Sequence, residues 1–177
     1  MRGATRRLTA VVALASAMLA ACPAVAQASG GRYVKVGYFT QWGIYGRDFQ
    51  LSKVQNSGAA ARLTHLNYAF GPVTADGVCA SADPWADWQT PFPAALSVDG
   101  VGDVAGQPLA GNLNQLAELK RANPRLKVLI SLGGWTGSAY FSDAALTDAS
   151  RKKLVSSCVD LWIKGNLPGL PAGLGGC

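Results

Sequence analysis

The sequence predicts an α/β fold with a parallel β-sheet. Three strand-like segments each precede a segment with helical periodicity, and this alternation is typical of parallel strands joined by right-handed crossovers. Hydrophobic residues make up 49% of the chain and charged residues only 15%, which indicates a globular protein and excludes a disordered charged tail. The length of 177 residues favours one domain, and the pattern fits the start of a doubly wound sheet or of a barrel.

The first predicted unit pairs a clear strand with a weakly patterned helix. Residues 34–40 are rich in β-branched and aromatic side chains, which favour extended structure. A polar, glycine-containing loop then leads to residues 51–63, which predict a weak helix. Residues 64–70 predict the second strand. Neither a G-x-G-x-x-G sequence nor a P-loop follows any of these strands, which argues against a nucleotide-binding fold.

The second helix and the third strand have stronger signals. Residues 112–123 place three leucines on one side of a helix, and Pro124 ends it. Residues 127–132 are a nearly continuous apolar run, which predicts a parallel strand buried on both faces. The three leucines are Leu113, Leu116 and Leu119.

The strongest helical pattern covers residues 147–164. Two apolar rows with i, i+4, i+8 spacing run side by side along it. Thr147 suits the N-cap of this helix and Gly165 suits its end. The rows are Leu154, Cys158 and Trp162, and beside them Val155, Val159 and Ile163.

The connection over residues 71–111 is far longer than a usual loop between a strand and a helix. It contains Trp85, Trp88 and Phe92. These rings either form a small local core under a surface loop or line a sugar-binding surface, because aromatic faces stack on the apolar faces of pyranose rings. The sequence leaves both interpretations open.

Residues 1–28 predict a secretory signal. Three arginines precede an apolar run at residues 8–21, and the sequence AQA at residues 26–28 fits cleavage before Ser29. A lipid anchor on Cys22 is the alternative, and a membrane span is not expected because the apolar run is short. We therefore expect a secreted, extracellular protein whose mature chain covers residues 29–177.

Charge and metal-ligand patterns point to neither nucleic acid nor a metal. The formal net charge of +6 includes the three signal arginines, and no basic cluster is interleaved with aromatic residues. His65 is the single histidine, which we interpret as structural, and no C-x-x-C spacing occurs. We expect no cofactor, no metal site and no nucleic-acid partner.

Three segments, in this order, resemble the start of bacterial, Streptomyces-type chitinases of glycoside hydrolase family 18. They are VGYFTQWGIYGR, THLNYAF and KVLISLGGW, the last of which contains the family's S-x-G-G signature at residues 131–134. The similarity continues through YFSDAAL and RKKLVSSCVDLWIKGNLP, so that it covers residues 33–168. It implies a (β/α)8 barrel, incomplete here and represented by its first three β/α units. Residues 29–177 would be the N-terminal portion of its catalytic domain, with residues 71–111 as a long insertion.

The resemblance implies retaining hydrolysis of β-1,4-linked N-acetylglucosamine polymers, in which the substrate's own N-acetyl oxygen is the nucleophile. The family's general acid is a glutamate in a D-x-x-D-x-D-x-E motif on the fourth strand, and the 177 residues do not contain that motif. The single glutamate, Glu118, is expected to be an exposed helix residue and not the acid. We expect a truncated or fragmentary chitinase that is inactive alone. A non-catalytic, secreted chitin-binding or interaction protein is the alternative.

The resemblance also implies a set of substrate-binding residues for chitin or chito-oligosaccharides. Trp42 and Tyr45 would form an aromatic rim, and Ser131 would support the first aspartate of the catalytic motif. Phe70 fits equally well as barrel core. The remaining implied contacts are Tyr38, Phe70, Gly133, Gly134 and Trp135, with Trp85 and Trp88 as further candidates. The complete barrel would be a monomer.

Cysteine pairing is open at the level of sequence. The expected mature chain holds Cys79, Cys158 and Cys177, an odd number, and export would make disulfides possible. Cys79 and Cys158 are a candidate pair that would leave Cys177 over, but connectivity cannot be deduced from spacing.

Overall fold

A three-stranded parallel sheet lies at the centre of the computed structural model, which describes residues 33–176. Strand β1 is Val36–Thr40, β2 is His65–Gly71 and β3 is Lys127–Leu132, and they lie side by side in the order β1-β2-β3. The α/β class and the three parallel strands predicted from the sequence are confirmed. The bounds of β3 are those predicted, and β1 and β2 differ from prediction by one or two residues at an end.

Some predictions concern residues that the structure does not describe. The signal at residues 1–28, the anchor cysteine Cys22 and the leftover Cys177 lie outside the described residues. Within residues 33–176, every helix is too short or too polar to cross a bilayer. The same residues bring together no group of three or more histidine, cysteine, aspartate or glutamate side chains that could hold a metal ion.

Six helices accompany the sheet in the described residues. The predicted helix over residues 51–63 is two short helices, because the chain turns at Ser57 and Gly58. The second predicted helix is confirmed within one residue at either end. The helices are α1 (Leu51–Asn56), α2 (Ala59–Arg62), α3 (Gly111–Ala122), α4 (Gly134–Gly137), α5 (Phe141–Ala145) and α6 (Asp148–Cys158).

Helix α6 begins as predicted. Thr147 is its N-cap, and its side chain accepts a hydrogen bond from the backbone N–H of Ser150. The Ser150 hydroxyl in turn accepts one from the backbone N–H of Thr147, which completes a capping box. The helix continues into a π-helical turn at Val159–Ile163 and ends before Gly165. Only one of its two apolar rows faces the core: Leu154, Cys158 and Trp162 pack inward, whereas Val155, Val159 and Ile163 are exposed.

One face of the sheet packs against helices and carries the core. Phe39, Leu66 and Tyr68 are almost completely buried on this face. They join the hydrophobic cluster that includes the three leucines of α3, Leu113, Leu116 and Leu119, as the periodicity predicts. Each fully buried side chain of this size contributes about 1.5–3 kcal/mol to stability.

The other face of the sheet is open along its middle in the described residues, whereas Ala69, near the carboxyl end of β2, is completely buried. The strands are in register, and because side chains alternate along a strand, two aligned rows lie on this face. The rows are Tyr38, Asn67 and Leu129, and then Thr40, Ala69 and Ser131. Tyr38 is 62% exposed and Leu129 is 44% exposed. The prediction that the third strand is buried on both faces is therefore wrong for the described residues, because core side chains pack on one face of β3 and leave Leu129 on the other face exposed.

The insertion over residues 71–111 has short structured pieces of its own. An antiparallel bridge joins Val73 and Cys79, a π-helical turn spans Trp85–Gln89, and a 3₁₀ turn spans Ala94–Leu96. A disulfide joins Cys79 to Cys158, with Cα atoms 4.9 Å apart, and so ties the insertion to α6. The insertion is therefore attached to the helical layer by a covalent bond.

The three rings of the insertion divide between the two interpretations that the sequence left open. Trp88, only 4% exposed, and Phe92 are buried and form local core. Trp85 is half exposed on the surface. Trp88 thus presents no open ring face to a ligand, whereas Trp85 does.

Candidate functional site

Most of the implied site residues lie at one edge of the sheet. Because β1, β2 and β3 are parallel, their carboxyl ends meet at this edge, where ligands bind in α/β folds. Trp42 follows β1 in a 3₁₀ turn, Gln41–Ile44, and Phe70 stands at the end of β2. Ser131 is half-buried near the end of β3.

Two aromatic rings from neighbouring strand ends are stacked here. The Trp42 and Phe70 ring centroids are 5.9 Å apart, and the ring planes differ by 27°. Trp42 keeps almost half of its surface exposed. Stacking on Phe70 therefore fixes one side of the indole and leaves the rest available to a ligand.

The loop after β3 packs closely against this pair. A Cβ atom at Gly134, whose φ is 78°, would lie 2.9 Å from Cδ2 of Phe70. Such contacts require glycine, both for the left-handed backbone and for the missing side chain. The backbone N–H of Gly133 donates to the carbonyl oxygen of Gly71 over 2.8 Å, which joins the loop to the end of β2.

Trp135 is the most exposed ring of the site. It belongs to α4, directly after the glycine pair, and its side chain is fully exposed. The Ser138 hydroxyl donates to the Gly134 carbonyl oxygen over 2.7 Å and so links the two ends of the short helix. A large apolar ring with both faces in solvent is a typical anchor for a ligand with flat apolar surfaces.

Tyr45 directly follows the Gln41–Ile44 turn, and its backbone N–H donates to the carbonyl oxygen of Trp42. Its hydroxyl donates to Oδ2 of Asp83, 2.7 Å away in the insertion. Partial burial, with a further contribution from that hydrogen bond, raises the pKa of Tyr45 to about 12. The phenol therefore stays protonated at physiological pH and can act as a hydrogen-bond donor.

A buried polar network lies beneath the rim, and its centre is Asp87. This carboxylate is completely buried and accepts three hydrogen bonds, from Gln41 Nε2 at 2.8 Å, from Ser81 Oγ at 2.5 Å and from the hydroxyl of Tyr68. Asn112 donates its side-chain amide to the Tyr68 hydroxyl at 3.0 Å and to the Gln41 carbonyl oxygen at 3.2 Å. The turn after β1, strand β2, the insertion and α3 are thereby joined at one point.

Burial raises the pKa of Asp87, and its neutral hydrogen-bond donors act in the opposite direction. Asp87 is not among the site residues predicted from the sequence. In the sequence, the one indication of its role is its position between Trp85 and Trp88. That position does not predict its partner Gln41, nor Asn112, which completes the network.

The prediction that Glu118 is an exposed helix residue is wrong. It is 5% exposed, and it accepts hydrogen bonds from Ser97 Oγ and Asn114 Nδ2, both at 2.9 Å. Burial raises its pKa. The insertion folds over this side of α3 and covers it. Glu118 nevertheless stands apart from the strand ends, on the helix whose leucines pack on the face opposite Tyr38.

The structure thus gathers Trp42, Phe70 and the Gly133–Gly134 loop into one cluster, with Trp135 beside it. Tyr38 and Ser131 lie on the open sheet face that leads up to this cluster. The Trp85–Gln89 turn packs against the Gln41–Ile44 turn, which places Trp85 on the outer flank of the rim.

Comparison with known proteins gives a consistent set of relatives. Residues 34–170 match the family described as Glycosyl hydrolases family 18. Chitinase C of Streptomyces lividans is 48% identical over 131 residues, which cover 74% of this chain. Endochitinase 1 of Metarhizium anisopliae is 36% identical over 154 residues, which cover 87% of this chain.

A solved structure agrees in fold as well as in sequence. The catalytic domain of the psychrophilic chitinase B from Arthrobacter TAD20 matches with a TM-score of 0.76 at 51% identity. That match covers 82% of this chain and 37% of the other. The chain spans 20% of the length of the Streptomyces enzyme and 34% of the length of the Metarhizium enzyme.

Proposed function

Because the chain belongs to glycosyl hydrolases family 18, we propose that its described residues form one wall of the chitin-binding cleft of a secreted chitinase. The observation that carries this proposal is the stacked pair of Trp42 and Phe70 at the carboxyl edge of the sheet, next to the exposed indole of Trp135. The names of the relatives, which are chitinases and an endochitinase, support chitin as the substrate.

The aromatic wall would bind the polymer through its sugar faces. The ring of Trp42, backed by Phe70, offers an apolar surface to one pyranose ring, and Trp135 offers a second one further along. The Tyr45 hydroxyl donates its proton to Asp83, so it would offer a sugar hydroxyl an acceptor oxygen at the rim. Tyr38 on the open sheet face would form the floor, and Ser131 would hydrogen-bond the first aspartate of the catalytic motif.

Hydrolysis in this proposal is retaining and substrate-assisted, with the N-acetyl oxygen of the sugar as nucleophile. A glutamic acid must then protonate the leaving oxygen. The one glutamate of these 177 residues is held in its own network on α3, by Ser97 and Asn114, away from the strand ends. We therefore expect the 177-residue chain to bind chitin without cleaving it.

The second candidate is a non-catalytic chitin-binding or interaction protein, for which the exposed aromatic wall is sufficient. Both candidates share the aromatic wall and differ in whether a general acid from further β/α units completes the site. Secretion is part of either proposal. It is supported by the signal predicted at residues 1–28 and by the disulfide between Cys79 and Cys158, since disulfides persist in oxidising compartments. With a complete barrel we expect a monomer.

The test is a pair of measurements on the purified 177-residue chain. Pull-down on insoluble chitin should retain the protein, and reducing-end assays on chitin oligosaccharides should detect no cleavage. The Trp42→Ala and Trp135→Ala variants should lose retention. Leu146→Ala, at an exposed apolar residue that follows α5 and is not one of the implied site residues, should keep it. Release of oligosaccharides by the wild-type chain, or equal retention of all variants, would contradict the proposal.

A further inference from the structure

We infer that Asp87 is a positioning residue for chitin binding, because it holds the turn that carries the aromatic rim, Trp42 and Tyr45, through its hydrogen bond with Gln41. The inference rests on the proposed function of this rim as a sugar-binding surface. It gives the insertion over residues 71–111 a defined role, which is to hold the rim in place through hydrogen bonds.

Gln41 is fixed at both its side chain and its backbone. Its Nε2 atom donates to Oδ1 of Asp87 at 2.8 Å, and its carbonyl oxygen accepts from Nδ2 of Asn112 at 3.2 Å. Gln41 itself is buried, although it directly precedes the exposed Trp42. The turn therefore cannot rotate without breaking two buried hydrogen bonds, and each broken bond would leave a buried polar group without its partner.

The carboxylate of Asp87 is chemically suited to hold several donors at once. A carboxylate accepts hydrogen bonds on both oxygens and donates none, so Asp87 can receive Gln41, Tyr68 and Ser81 together. All three donors are neutral. A buried carboxylate without a cationic partner adds little to stability, and its value lies in fixing the geometry of the groups around it.

A second carboxylate of the same segment holds the second rim residue. Asp83 accepts from the Tyr45 hydroxyl at 2.7 Å on Oδ2 and from the backbone N–H of Ala86 at 3.1 Å on Oδ1. The hydroxyl of Ser81, which donates to Asp87, also accepts from the backbone N–H of Asp83 at 3.1 Å. One short segment of the insertion thus anchors both aromatic residues of the rim. A preformed rim loses less conformational entropy when a sugar chain binds.

The experiment uses four variants of the 177-residue chain. Gln41→Leu removes only the link from the turn to Asp87. Asp87→Leu removes the acceptor, whereas Asp87→Asn retains an oxygen for Gln41 and Tyr68 and should rescue the turn. Ser97→Ala disturbs the other buried carboxylate network, at Glu118, and serves as the matched control.

Two readouts separate positioning from stability. Hydrogen–deuterium exchange of peptides covering residues 41–45 reports on the turn without any ligand. Calorimetric titration with the hexamer of N-acetylglucosamine reports on binding. We expect Gln41→Leu and Asp87→Leu to raise exchange in the turn and to weaken binding, each by about tenfold. Asp87→Asn should recover most of both, and Ser97→Ala should change neither.

The outcomes that overturn the inference are distinct from failure of the proposed function. Wild-type exchange in Gln41→Leu, or raised exchange with unchanged affinity, overturns the role of Asp87 while chitin binding stands. If the wild-type chain binds no oligosaccharide, the proposed function is wrong and a sugar-positioning role for Asp87 falls with it. The exchange data then still decide whether Asp87 holds the turn.

Discussion

The indole ring of Trp42 stacks on the phenyl ring of Phe70, with the two centroids 5.9 Å apart. One ring follows β1 and the other ends β2, so the contact joins two strand ends at the edge where the candidate site lies. The close approach of Gly134 to Phe70 adds the loop after β3 to the same cluster. Three consecutive β/α units of the barrel are thereby in contact through Trp42, Phe70 and Gly134.

Replacing the supporting ring tests this contact directly. Phe70→Leu keeps an apolar side chain but removes the stacking partner of Trp42, and aromatic pairs contribute about 0.5–1.5 kcal/mol beyond their buried area. We expect affinity for chitin oligosaccharides to fall by between about twofold and tenfold. Phe92→Leu, at a buried ring of the insertion, should lower the melting temperature without this loss of affinity. Equal affinities in the two variants would show that the Trp42 ring needs no support.

Gly134→Ala should destabilise the loop after β3. The residue has a φ of 78°, and an added Cβ would lie 2.9 Å from the Phe70 ring. Strained backbone of this kind costs about 1–3 kcal/mol, which urea unfolding can measure. Gly46→Ala is the control, because a Cβ atom added there would meet no other atom within 4 Å, and it should change stability by less than about 0.5 kcal/mol. A Gly134→Ala variant as stable as the wild type would mean that the loop moves away from Phe70 freely.

The pH dependence of stability should depend on Asp87. Because burial raises its pKa, the folded chain takes up a proton at a higher pH than the unfolded chain does. The wild type should therefore gain stability relative to Asp87→Asn as the pH falls toward the ordinary carboxyl pKa. It should lose that stability as the pH rises through the raised value.

Urea unfolding of the wild type and of Asp87→Asn between about pH 4 and 8 measures this difference. The neighbouring titratable groups, Asp83 and Tyr68, are the same in both proteins, so their contributions largely cancel. A stability difference that stays constant over this range would show that Asp87 titrates as an ordinary carboxylate.

The disulfide should contribute strongly to stability. It joins Cys79 to Cys158 across a sequence separation of 79 residues, and closing a loop of this length restricts the unfolded chain considerably. A Cys79→Ser, Cys158→Ser double variant should lose about 2–4 kcal/mol of unfolding free energy. A reductant should weaken the wild type by a similar amount and leave the double variant unchanged. Insensitivity of both proteins to the reductant would contradict the prediction.

Sequence periodicity was sufficient for the elements whose signals are local. The three leucines of α3, its end before Pro124 and the Thr147 cap of α6 all depend on residues within a few positions of each other. The weak helix over residues 51–63 was less accurate, because periodicity did not reveal the turn between α1 and α2. The strands were located correctly, since their composition is distinctive.

The errors concern what covers an element. A continuous apolar run predicts burial on both faces, yet Leu129 on β3 is exposed because the described residues cover one face alone. The sequence predicts an exposed Glu118, but the segment around Ser97, which is 21 positions away in sequence, covers it. Covering segments that come from a distant part of the chain leave no trace in local periodicity.

The buried network under the rim was missed for the same reason. Gln41 and Asp87 are 46 positions apart, and Gln41 and Asn112 are 71 apart. No spacing rule connects them. The family resemblance pointed to Trp42 and Tyr45 themselves and gave no information on the residues that hold them.

The bond between Gln41 and Asp87 has a consequence for protein engineering. A graft that replaces residues 41–45 with the loop of another enzyme would remove the Gln41 donor and leave the buried Asp87 with one hydrogen bond fewer. Exchanging the Trp85–Gln89 turn alone would leave the buried Gln41 side chain without its acceptor. Recombination libraries should therefore exchange the two segments together and retain Tyr68, Ser81 and Asn112, which complete the network.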